Sequence, residues 1–375
     1  MASERSEDRV LAELRRYPDV EAPNLHAVDA ADRLLLDTAA DALAAAGPGE
    51  VAVVGDRYGA LTLGAAARFG LTGIRSHTDP LAGELARAAN AERLGLAGCY
   101  TDQPLDAELF AGARLVLLQA PKGLDELTEW VGLIGRRADP AVRVYLGGRL
   151  KYLTRAMNDV LGLAFESVTA GLARQKSRVI TASGLLADAE LPAFPQRSWH
   201  ADLRMWVCAH GGAFAGSRID IGTRRLLAVL DELPAVESAI DLGCGTGVLA
   251  VALARRGYRV LASDSSAAAV RSCLATAAAN DVGMVVQRDD ALSTVPAASA
   301  ELIVCNPPFH LGPAVHAGAA VRLFEAAARV LAPGGELWTV FNSHLGYAPV
   351  LRRLIGPTRP VHRDPTFTVT ASKLQ

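Results

Sequence analysis

The sequence predicts an α/β protein in which one βα fold, with a mostly parallel sheet flanked by helices, occurs twice in tandem. Three observations carry this expectation. Short apolar runs alternate with helix-forming segments along the chain, as parallel strands joined by crossover helices do. Landmarks recur at near-constant separations: Gly55 and Gly243 lie 188 residues apart, Asp79 and Asp264 185, Gln119 and Asn306 187, Asn90 and Asn280 190, which argues for duplication of one unit. A stretch with Pro192, Pro195 and no sustained period separates the copies, and reads as a linker. The expected division is residues 1–188, a linker at 189–200, and 201–375; a chain of 375 residues is long enough for two cores.

Composition narrows the function classes. Half of the residues are hydrophobic and 21% are charged, which argues against disorder. Residues Met1 to Asp8 are too charged for a secretory leader, and no apolar run approaches the length of a membrane span. Five scattered cysteines without a Cys-x-x-Cys pair favour reduced thiols in a cytoplasm over disulfides or zinc. The net charge of −2 gives no general attraction to nucleic acid, although charge can be local. Arg149, Lys151, Arg155, Arg174, Lys176 and Arg178 share one segment whose acids are Asp159 and Glu166; the pattern fits an RNA-contacting face or an ordinary solvated one.

In the first copy, residues 1–20 read as a short helix ended by Pro18, and 30–46 as a second helix stopped by Gly47-Pro48-Gly49. Strands are expected at 51–54, 74–79 and 115–118, helices at 60–69 and 81–94. The turn after the first strand is Gly55-Asp56-Arg57-Tyr58-Gly59, and the third of these strands ends in Gln119-Ala120-Pro121-Lys122.

The second copy carries the chemistry. Ser238 to Leu242 reads as a strand, Gly243-Cys244-Gly245-Thr246-Gly247 as a turn, and the alanine- and leucine-rich run after it as a helix. Such a turn lets a cofactor approach the backbone closely. Asp264 ends the next apolar run 21 residues beyond Gly243, the place from which an acid can hold ribose hydroxyls. Asp241 would repel a pyrophosphate but pair with a cationic amino acid group, which favours S-adenosylmethionine over a dinucleotide. About 60 residues on, the apolar run 301–304 ends in Cys305-Asn306-Pro307-Pro308-Phe309-His310. Two prolines end that strand and stiffen the corner. The Asn306 side-chain oxygen and the Pro307 carbonyl can accept hydrogen bonds from an exocyclic amine, and Phe309 can lie on the ring. A helix over 266–280, a third strand at 284–287, a helix at 318–331 stopped by Pro333, a fifth strand at 336–341 and an alternating edge strand at 367–371, paired with 359–361, complete the copy.

Residues 210–375 resemble class I S-adenosylmethionine-dependent methyltransferases of the Asn-Pro-Pro-(Phe/Tyr) group. With Gly-Ala-Phe at 212–214 and Ile-Asp-Ile-Gly-Thr-Arg at 219–224, they are similar to the ribosomal RNA guanine-N2 methyltransferases. The segments 25–32 and 58–61 resemble the large-subunit branch, so the likeness spans nearly the whole chain. It implies two Rossmann-like domains with seven-stranded sheets, the N-terminal copy degenerate and serving RNA recognition or as a scaffold. It implies S-adenosyl-L-methionine held by Asp241, Gly243, Cys244, Gly245, Thr246, Gly247, Asp264, Ser265, Asp290, Ala291 and Asn306. By register Asp290, and not Asp289, is the acid for the adenine amine, with Asp289 a solvated neighbour. Asn306, Pro307, Pro308 and Phe309 are the expected catalytic corner. No metal and no membrane are implied; the partner is ribosomal RNA or a ribosomal subunit, 23S favoured, acted on by a monomer.

Three other readings stay open at this level. The same corner serves methylation of adenine N6 or of a protein glutamine, although protein-directed relatives usually carry Tyr where this chain has Phe309. A non-catalytic RNA-binding assembly factor would lack the intact cofactor set. A small-molecule methyltransferase would have little use for the duplicated N-terminal module.

Overall fold

A computed structural model describes residues 9–308 and 313–375. The chain divides into two compact units, Met1–Phe194 and Pro195–Gln375. In the first, β1 (Val51–Val54), β2 (Ile74–His77), β3 (Tyr100–Asp102), β4 (Leu115–Gln119), β5 (Arg143–Arg149), β6 (Phe165–Ala170) and β7 (Ser177–Leu185) form one sheet in the order β3-β2-β1-β4-β5-β7-β6. In the second, a hairpin of β8 (Gln196–His200) and β9 (Met205–Ala209) precedes β10 (Ser238–Leu242), β11 (Arg259–Asp264), β12 (Val285–Arg288), β13 (Ala300–Cys305), β14 (Leu331–Asn342), β15 (Thr358–Arg363) and β16 (Phe367–Lys373). Their sheet order, β12-β11-β10-β13-β14-β16-β15, matches the first unit strand for strand. In each sheet only the last strand, β7 or β16, runs antiparallel to its neighbours.

The inner strands are apolar because both faces are covered. Along β1, Val51 and Val53 join the core on one face while Ala52 and Val54 join the other. Along β10, Ala239 faces one core and Ile240 and Leu242 the other. The duplication reaches single hydrogen bonds. Asn90 exchanges bonds of 3.0 and 2.8 Å with the backbone of Arg15, and Asn280 exchanges 3.0 and 2.7 Å with that of Trp206. Each amide pins the segment ahead of the sheet to the helix behind β2 or β11.

Several expectations need correction. The linker is shorter than 189–200: Gln196–His200 pairs in the hairpin, and the division falls at Phe194 and Pro195. The helix at 30–46 is two, Ala30–Thr38 and Ala40–Ala45, meeting at the non-helical Ala39. The helix at 318–331 begins at Pro313, and Pro333-Gly334-Gly335 lies within β14, where a bulge opposite Ala300 and Leu302 absorbs it. The tail strand is not an edge: β16 is buried between β14 and β15, and β15 forms the rim. Its Thr and Ser residues pass for a wetted face in the sequence, yet Thr370 and Ser372 are buried.

Candidate functional site

The glycine turn sits at the C-terminal end of β10, the central strand, beside the ends of β11 and β13. Gly243, Gly245 and Gly247 have φ of 77°, 52° and 80°, values that L side chains rarely adopt. Gly247 is also sterically fixed, since a Cβ there would lie 2.7 Å from Cys273 Sγ. At Gly243 and Gly245 a Cβ would meet nothing within 4 Å, so space lies open along the turn. Asp264 joins turn and strand end: one carboxylate oxygen accepts from Gly245 N–H at 3.0 Å, the other from Ser266 N–H at 2.9 Å.

Asp241 is 1% exposed. Its Oδ2 accepts from the Ala250 N–H at 2.9 Å, and its Oδ1 is buried with no partner. Burial, with the charge of Asp264 adding to it and the Ala250 bond opposing, pushes its carboxyl up to about 7. A buried, half-satisfied acid is costly. An ammonium group from a ligand is the partner that would restore it, so the residues present fit an amino-acid-bearing cofactor.

At the corner, Asn306 follows β13 directly. Its Nδ2 donates to Asp220 Oδ2 at 3.1 Å and to Thr223 Oγ1 at 3.0 Å, while its Oδ1 is buried without a partner. Asp220 is the N-cap of the helix Ile221–Leu227, accepting from the N–H groups of Gly222 and Thr223. The helix terminus therefore takes both amide hydrogens, and the oxygen is the group left over. Gly222 is the residue that permits this approach: its Cβ would stand 3.2 Å from Asn306 Oδ1. Pro307 is buried and Pro308 exposed. Phe309 and His310 lie outside the described residues.

At the end of β12 one of the two acids departs from its expected character. Asp289 is buried and not a solvated neighbour. It accepts from the N–H and hydroxyl groups of Ser293 and Thr294, and although burial acts to raise its carboxyl, these bonds hold it below the ordinary range. Asp289 thus builds the turn that carries Asp290 and Ala291. Asp290 pairs with Arg322, and Ala291 has φ of 54°. Asp220 and Thr223 were not singled out from sequence as functional, nor was Arg322; an Asp opening a helix was the signal at hand for the first pair. Among the described residues no cluster of His, Cys, Asp and Glu could hold a metal ion, and no helix is long and apolar enough to cross a membrane.

The equivalent place in the first unit is filled. A Cβ at Gly55 would meet the Gln119 carbonyl at 3.1 Å, and one at Gly59 would meet Leu63 at 2.7 Å. Asp56 saturates itself inside the turn, accepting from Gly59 N–H at 3.1 Å and Thr62 N–H at 2.7 Å. The fully buried Arg87 bridges from the Asp56 carbonyl to Asp102 at the end of β3.

Comparison with known proteins agrees with this division. Residues 3–185 match the family description "RLMG N-terminal domain", and 204–371 match "Methyltransferase small domain". The chain is 35% identical over 379 residues to the ribosomal RNA large subunit methyltransferase G of Streptomyces avermitilis, covering 95% of each. It is 34% identical over 370 residues to the protein of that name from Shewanella amazonensis, covering 95% of this chain and 94% of the other. Among solved structures, a T. thermophilus 16S rRNA N2-guanine methyltransferase in complex with AdoMet and guanosine superposes with a TM-score of 0.75 at 22% identity, covering 97% of this chain and 94% of that one. This last likeness concerns the fold.

Proposed function

The chain belongs to the ribosomal RNA large subunit methyltransferase G family, and from that premise we propose that its second unit methylates the exocyclic N2 of a guanosine in 23S ribosomal RNA, using S-adenosylmethionine. The observation that carries this reading is the Asn306 amide, whose nitrogen is committed to Asp220 and Thr223 and whose oxygen is buried and unpartnered. An oxygen so placed can only accept, and an exocyclic amine has hydrogens to give.

The cofactor supplies a methyl already activated by a sulfonium. The rest falls to this chain. Asp241 Oδ1 and the open turn at Gly243 and Gly245 would hold the amino acid end, Thr246, Cys244 and Gly247 would shape the wall, and Asp264 and Ser265 would hold the ribose. Asp290 and Ala291 would hold the adenine. Asn306 Oδ1 and the Pro307 carbonyl accept the two N2 hydrogens of guanine. That bonding draws the nitrogen lone pair out of conjugation, aims it at the methyl and stabilises positive charge developing on nitrogen. Pro308 keeps the corner stiff. No general base is required, since the alkylated nitrogen is acidic and releases its proton to water. The base must leave its helix or lie in a loop to reach this corner.

The first unit, with its cofactor space filled, serves recognition of the RNA on this reading and carries no transfer. Mass spectrometry of 23S nucleosides from cells with and without the protein tests the function. Loss of one N2-methylguanosine is expected; unchanged guanosines, with or without a changed adenosine, would overturn the substrate.

A further inference from the structure

We propose that the C-terminal ends of β4 and β5 in the first sheet hold an unpaired RNA base by its exocyclic amine without methylating it. The inference rests on the reading that the substrate is RNA. Its basis is a side-chain arrangement the first unit has kept although its cofactor space is closed. Asp29 caps the helix Ala30–Thr38 as Asp220 caps Ile221–Leu227. Three residues beyond each cap, Asp32 Oδ1 accepts from Gln119 Nε2 at 2.7 Å, as Thr223 Oγ1 accepts from Asn306 Nδ2 at 3.0 Å. The Gln119 amide is thus held by its nitrogen from the same helix terminus. Among the described residues no protein group donates to its oxygen, which leaves the side chain an acceptor for an amine.

Asp32 is 3% exposed; its other oxygen accepts the Asp29 N–H at 2.8 Å as the capping-box acid, which fixes the carboxylate that holds the Gln119 amide. Beside it the structure adds what a base and its phosphates need. A Cβ at Gly148, near the end of β5, would lie 2.8 Å from Ala120 and 3.3 Å from Leu153, so the corner after Gln119 and the segment after β5 meet there. There Tyr152 is 53% exposed, with Lys151 Nζ 4.5 Å from its ring centroid. Lys122 and Arg149 both lie near enough to act on the same phenol, although Lys122 also faces Glu126 and Arg149 holds Asp29. An exposed ring among cations is a stacking platform for single-stranded nucleic acid, and an amide acceptor at its side adds a preference for bases with an amino group.

Fluorescence anisotropy on the full chain tests this. The probes are labelled single-stranded decanucleotides containing guanosine or adenosine, each matched to one carrying inosine or purine riboside, which lack only the amino group. Measurement in the Asn306→Ala background, without S-adenosylmethionine, takes away the catalytic corner's side-chain acceptor, and the difference between this background and its Gln119→Ala derivative reports the first unit alone. At least one amino-bearing probe is expected to bind about fivefold or more tightly than its match, with Gln119→Ala abolishing the difference. Tyr152→Ala, a change at an exposed position, is expected to weaken every probe about tenfold, and Tyr152→Phe to restore binding. Equal binding of both pairs, or a preference that survives Gln119→Ala, overturns the proposal. An enzyme that methylates 23S RNA yet shows that outcome rejects the second base site alone; a chain that yields no methylguanosine rejects the RNA reading itself.

Discussion

Two corners of one protein hold an amide at the same strand end, from the same helix terminus, and differ in what lies beside them. Next to Asn306 the glycine turn is open and Asp241 keeps an unpartnered oxygen. Next to Gln119 the turn is packed against the strand end, Asp56 is saturated by its own loop, and Arg87 occupies the interior. A fold can lose its cofactor by filling a cavity while the element that reads the substrate persists. The difference also shows what catalysis requires here: an acceptor is not enough without an activated methyl in line with the amine.

The comparison can be broken at four points. Asn306→Gln gives the second corner the longer side chain of the first and displaces the acceptor by more than an ångström; turnover is expected to fall about 100-fold in single-turnover assays. Arg87→Met reopens the first interior and removes the Arg87–Asp102 ion pair. It is expected to cost about 2 kcal/mol, read from denaturant unfolding, while calorimetry still finds one S-adenosylmethionine per chain. Asp220→Ala frees the Asn306 amide to turn, and kcat should drop about tenfold with cofactor affinity unchanged.

The fourth point is pH. The Asp241 carboxyl is raised by burial to about 7 from its unfolded value of 3.8. In the ligand-free protein, the stability linked to this group is full below pH 3.8 and is lost as pH rises through about 7. Asp241→Asn should therefore raise Tm at pH 8 relative to wild type. The cofactor's ammonium favours the ionised acid, so binding should tighten with pH by up to about tenfold per unit below 7 and weaken again as the ammonium loses its own proton at about pH 8. Asp241→Asn should bind weakly and lose that slope.

Much of this was legible in the sequence because it is local. A glycine turn behind an apolar run, an acid 21 residues on, and Asn-Pro-Pro after another run each declare a strand end, and their repetition declares the duplication. What escaped depends on contacts across the chain. The tie from Asn306 to Asp220 spans 86 residues, and the motif at 219–224 marks the family without saying what its Asp touches. Asp289 and Asp290 look alike as neighbours, and the hydroxyls of Ser293 and Thr294 decide which is buried. β8 hides behind Pro195 and a polar pattern, and β16 hides inside the sheet because a polar-looking residue such as Ser372 is buried there and bonded to Thr358 at 3.0 Å.

The most direct test is methyl transfer to 23S ribosomal RNA by Asn306→Ala, measured beside its affinity for S-adenosylmethionine. Transfer is expected to fall at least about 100-fold with the cofactor bound within twofold of wild type. Transfer at the wild-type rate would contradict the role given to the amide, and loss of cofactor binding in step with transfer would make Asn306 a wall of the cofactor pocket instead of the hand that aims the amine.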